Sequence, residues 1–89
     1  MPELVVQLPP ALLRLFPGSE ATPTVAADNV AEIIEALDRR WPGMADRLRD
    51  STPGIRRHIN VFVDGERATL ATPVHAASDV FIMTAISGG

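Results

Sequence analysis

Apolar and polar residues alternate at the start of the chain, in ELVVQL (3–8): Leu4, Val6 and Leu8 face one way, Val5 and Gln7 the other. A period of two is that of a half-buried strand. The alternation then breaks. PPALLRLFPGSEA (9–21) is punctuated by Pro9, Pro10, Pro17 and Gly18 and reads as a loop or turn. Its Leu12, Leu13, Leu15 and Phe16 are too apolar for full solvation, so it is expected to fold over one end of the core. TPTVAA (22–27) suits a short second strand, which Pro23 assigns to a sheet edge.

The period changes at residue 28. In DNVAEIIEALDRRWPG (28–43), Val30, Ile33, Ile34, Leu37 and Trp41 recur at helical spacing. Asn29 with Glu32 three residues on makes a capping box, and Asp28 is an alternative cap. Arg39 and Arg40 suit the negative end of the helix, and Pro42-Gly43 stops it. MADRLRD (44–50) adds a short helical turn through Met44 and Leu48, and STPG (51–54) is a loop. IRRHINVFVDGERATL (55–70) reads as a strand, an Asp64-Gly65 hairpin turn and a second short strand. Ile59, Val61 and Val63 share one face of the first, and His58, Asn60 and Phe62 the other. After a connection (71–79), VFIMTAI (80–86) is the last strand. One amphipathic helix and several short strands imply an α+β domain, a mixed sheet with one main helix packed across it.

Composition narrows the function. Eighty-nine residues imply one domain, 1–89, with a flexible Gly-Gly tail at 87–89. A net charge of −3 argues against a nucleic-acid partner, which requires a basic stripe. No apolar run approaches spanning length and no leader opens the chain, so the expectation is a cytoplasmic protein with no membrane partner. The absence of cysteine removes disulfides, thiolate nucleophiles and the common zinc sites. There is also no lysine, because all eight basic residues are arginine; an arginine-rich codon bias accounts for that. The N-terminus is therefore the only primary amine.

The sequence contains no phosphate-binding glycine loop and no nucleophile elbow. His58 and His75 are not spaced as a metal pair, and no metal site is expected. Turn chemistry accounts for Asp64 and Glu66. Arg39-Arg40 and Arg56-Arg57 read as solvated charges, with docking an alternative for Arg56-Arg57. What remains is the end, SGG (87–89). Glycine supplies about 7% of residues, so two in succession there is roughly a one-in-two-hundred event. Glycine lacks Cβ, so a Gly-Gly end can thread a narrow channel in another enzyme and expose its carboxylate to attack.

The element order, INVFVDGE (59–66) and the terminal SGG resemble the MoaD/ThiS group of ubiquitin-like sulfur carriers over essentially the whole chain. The resemblance implies the β-grasp fold. It implies that Gly89 is adenylated by a ubiquitin-activating-type enzyme and converted to a thiocarboxylate, with Gly88 letting the tail thread. ATP and magnesium would be used by that enzyme, with no cofactor bound here, and a sulfur-accepting synthase would take the sulfur. Many members carry proline where Thr84 or Ala85 stands, which bears on the stiffness of the approach. The implied strand order makes HINVFV and VFIMTAI neighbours. Phe62, Phe81 and Met83 would then share the outer sheet face and, with Ile86 and Ser87, bind the partner. The length of 42–57 sets the chain apart from the shorter thiamine-branch carriers, and the STPG loop with the arginine-containing entry to INVFVDGE resembles the cysteine-synthesis branch; the molybdopterin synthase small subunit is the alternative. From another class, the chain would be a ubiquitin-like interaction or conjugation module.

Overall fold

The opening alternation forms β1 (Glu3–Gln7), with Leu4 and Val6 buried and Val5 and Gln7 exposed. The computed structural model describes residues 1–49, 54–56 and 58–84. β2 (Thr24–Ala26) runs antiparallel beside β1 and pairs Val25 with Leu4. It is an edge strand, as its flanking proline requires.

Between them the expected loop is partly helical: α1 spans Pro10–Leu15. Proline suits the first helical turn, because its missing N–H would have no intrahelical partner there and its fixed φ is already helical. The Leu12 and Leu13 amides donate to the Pro9 carbonyl at 3.0 and 3.2 Å. Leu12 is buried, Leu13 and Phe16 pack against the core, and Leu15 is exposed. The segment thus adds to the core, but as a turn and a half of helix.

α2 (Val30–Arg40) buries Val30, Ile33, Ile34, Ala36 and Leu37. Asn29 is the cap: its side-chain oxygen accepts from the Glu32 amide at 2.9 Å, while Glu32 accepts from the Asp28 amide at 2.7 Å. Past Trp41, Gly43 takes the left-handed region (φ 98). The Asp38 carboxylate accepts from both the Gly43 and Ala45 amides at 3.0 Å. A residue of α2 thereby satisfies the first donors of α3 (Met44–Leu48), which buries Met44, Ala45 and Leu48.

β3 (Ile59–Val63) turns at Asp64 (φ 52) and Gly65 (φ 85) into β4 (Glu66–Arg67). Positive φ at both central residues is the hairpin turn whose twist matches the flanking strands. β5 (Val80–Thr84) completes a five-stranded sheet of order β2-β1-β5-β3-β4. It lies parallel to β1, with Val6 opposite Val80, and antiparallel to β3, with Val61 opposite Ile82. Ile59, Val61, Val63, Val80 and Ile82 face the helices and join their buried residues in one cluster. The result is a mixed sheet crossed by one main helix, with two short helices added.

Candidate functional site

Ile86, Ser87, Gly88 and Gly89 lie outside the described residues, as does Ala85. What the structure places is the base from which they extend. Thr84 ends β5, the middle strand of the sheet, hydrogen-bonded on both sides. The root of the tail is therefore an interior strand, paired with β1 at Val80 and Phe81 and with β3 from Val80 to Thr84.

Alternation on β5 and β3 turns Phe81, Met83, Asn60 and Phe62 away from the core. Phe81 stands directly opposite Phe62, and Met83 opposite Asn60. Phe81 is 40% exposed and Met83 50%; Phe62 is half-buried. The structure thus brings Phe62, Phe81 and Met83 together on the outer face. It adds residues that sequence reasoning did not include. Gln7 of β1 pairs with Phe81, Val5 on the same side of β1 is 48% exposed, and Arg67 lies opposite Phe62 and donates to the Asn60 side chain at 2.7 Å. Val5 was findable, as the apolar member of the solvent face of β1.

The other candidates have structural roles. The Asp64 amide donates to the Asp79 carbonyl at 2.8 Å, and the Asp64 carboxylate accepts from the Asp79 amide at 2.9 Å. Asp64 therefore also ties the hairpin to the start of β5, beyond what turn chemistry alone required. Arg40 pairs with Glu20 at 2.6 Å and stacks on Trp41, 4.6 Å from the ring centroid. His58 and His75 are exposed. Among the described residues no cluster of three or more His, Cys, Asp or Glu could hold a metal, and no helix is long and apolar enough to cross a membrane.

At the end of β5 a cleft of about 630 Å³ opens between α1, α3 and the start of β3. Thr84 forms part of its wall, with Leu15, Phe16, Asp46, Arg47, Arg56 and His58. Arg56 is fixed there: its Nε donates to the Asp46 carbonyl and its amide to the Leu48 carbonyl. Arg57 lies outside the described residues. These residues come from four separate stretches, so no local motif announces the cleft.

No family model matches the chain. It is 30% identical over 86 residues to the sulfur carrier protein CysO of Mycobacterium tuberculosis, spanning 90% of this chain and 92% of that protein. Its structure superposes on a chain of the Amycolatopsis orientalis BexX/CysO complex with a TM-score of 0.82 and 29% identity, covering 97% of this chain and 99% of that one. SAMP1 from Haloferax volcanii superposes with a TM-score of 0.79 and 27% identity, covering 98% and 99%. The fold is the ubiquitin-like β-grasp.

Proposed function

This chain belongs to the ubiquitin-like sulfur carriers of the MoaD/ThiS type, and from that premise we propose that Gly89 is its acyl carrier. It is a sulfur carrier of the cysteine-synthesis type. The observation that supports the role of Gly89 is where the Gly-Gly sequence stands: four and five residues beyond Thr84, itself the last described residue of the central strand of the sheet.

The chemistry follows from the weakness of a carboxylate as an electrophile. An oxygen of the Gly89 carboxylate attacks the α-phosphorus of ATP and pyrophosphate leaves, giving an acyl-adenylate. A sulfide equivalent from a sulfur donor then attacks the carbonyl carbon and expels AMP, leaving a thiocarboxylate. The thiocarboxylate sulfur is passed to a sulfur-accepting synthase. ATP and magnesium belong to a ubiquitin-activating-type enzyme, and the need for ATP places activation in the cytoplasm. The carrier supplies no turnover. It supplies a tail that fits a narrow channel, since Gly88 and Gly89 carry no Cβ. The outer face around Phe62, Phe81 and Met83, with Ile86 and Ser87 leading to the tail, docks the body while Gly89 reacts.

The likeness to SAMP1, a small archaeal modifier protein, favours one second reading: amide formation between activated Gly89 and an amine of a target protein. Intact mass separates the two. The protein is incubated with ATP, the adenylating enzyme and a sulfur donor. A carrier gains the mass difference between sulfur and oxygen, and removal of Gly89 abolishes the gain. A modifier given target protein instead yields a covalent adduct. A gain that survives removal of Gly89 would place the chemistry elsewhere.

A further inference from the structure

The cleft beside Thr84 differs in chemistry from the outer sheet face. The chain carries a net charge of −3, yet among the described residues lining this cleft Arg47 and Arg56 stand beside one carboxylate, that of Asp46. Among the described residues the one ion pair is Arg40–Glu20, so neither cleft arginine is neutralised by a described carboxylate. Both arginines are exposed. Arg56 is already immobilised by its bonds to α3, so an incoming carboxylate costs it little conformational freedom. Beside them the wall offers an apolar stretch: Phe16 is half-buried, and Leu15 is 53% exposed where α1 ends.

Position supplies the second argument. Gly89 is the fifth residue beyond Thr84, a reach of at most about 18 Å when fully extended. An enzyme that encloses Gly89 must bring its surface within that distance of Thr84, and so against the cleft that Thr84 lines. Contact at the apolar face alone leaves rotation about the tail poorly defined. A charged contact on the other side of the tail root fixes register and rejects partners of the wrong charge.

We propose that this cleft receives an acidic loop of the enzyme that activates Gly89. One carboxylate sits against Arg47 and Arg56, and an adjoining aliphatic side chain sits against Leu15 and Phe16. The inference rests on the reading of Gly89 as the acyl carrier, but its test does not require the chemistry.

Binding of the full chain to the adenylating enzyme of the same organism is measured by calorimetry without ATP, at low and high salt. Arg47→Glu, and the double variant with Arg56→Glu, are compared with wild type after thermal melts have shown each to be folded. Arg47 makes no hydrogen bond among the described residues, so its variant stands even if the double variant melts early. The expected result is a Kd raised about tenfold or more at low salt and a flattened salt dependence. Phe81→Glu should weaken binding without flattening it. A Kd and salt slope unchanged in Arg47→Glu, or no binding by wild type, would overturn the proposal. Pyrophosphate release from wild type, measured separately, tests Gly89: binding without release sinks the acyl-carrier reading and leaves the cleft to be judged by its Kd.

Discussion

Phe81 and Ile82 are neighbours on β5 that face opposite ways, so one substitution made at both tests the facing directly. Phe81 is 40% exposed and Ile82 is 2% exposed. Full burial of a large apolar side chain is worth about 1.5–3 kcal/mol, so the covered three-fifths of Phe81 is worth about 1–2 kcal/mol. Its cross-strand pairing with Phe62, about 0.2–1 kcal/mol, is the smaller contribution. Phe81→Glu should therefore lower stability by about 1–2 kcal/mol, and the melting temperature by roughly 4–8 °C per kcal/mol, leaving a folded domain. Ile82→Glu loses the core contacts, about 2–5 kcal/mol, and adds the cost of an unpaired buried carboxylate, several kcal/mol more. That sum rivals the roughly 5–15 kcal/mol that stabilises a domain, so this variant should be unfolded. Circular dichroism melts read both outcomes. Calorimetry against the adenylating enzyme then reads the docking role: loss of an aromatic anchor should cost at least about 2 kcal/mol, near thirtyfold in Kd. If Phe81→Glu unfolds as Ile82→Glu does, the facing of β5 is wrong. If it folds and binds with unchanged affinity, the outer face is not the docking surface.

Two further predictions concern the scaffold. Asn29→Ala removes the acceptor for the Glu32 amide and should cost about 1 kcal/mol in urea denaturation; an unchanged midpoint would mean that water replaces the cap fully. Gly65→Ala places a side chain at φ 85 where nothing lies within 4 Å of the added Cβ, so its cost, about 1 kcal/mol, is backbone strain alone. Gly65→Asn, which tolerates that region, should recover much of the loss, and a larger loss than for alanine would contradict the strain account.

The sequence reading was most accurate where a period could be counted. Alternation assigned the faces of β1, β3 and β5, and helical spacing assigned the buried side of α2, because each repeats a burial requirement several times. α1 escaped because six residues hold too few turns to display a period, and because the prolines that open a helix look the same as prolines that break one. Strand order lay beyond periodicity: nothing local tells Val80 to pair with Val6, and the family resemblance gave only that β3 and β5 are neighbours. The cleft was illegible for the same reason, since Leu15, Arg47 and Arg56 meet only through tertiary packing. Gly88 and Gly89 are the converse case, legible in sequence and outside the described residues.

The central place of β5 also governs folding. β1 pairs with β2 and β3 with β4, and the two ribbons share no strand pairing except through β5. A two-stranded ribbon alone is marginal in water. Joining the halves requires residue 6 to meet residue 80, a closure across nearly the whole chain, and such non-local pairing slows folding. Cooperativity therefore arrives with the very strand that leads to Gly89. A chain damaged at the buried positions of β5, Val80 or Ile82, does not become a sound body with a faulty end; it loses the body as well. The fold thus acts as its own proofreader, since a tail reaches an activating enzyme on a docked, native body only when the strand beneath it has closed the sheet.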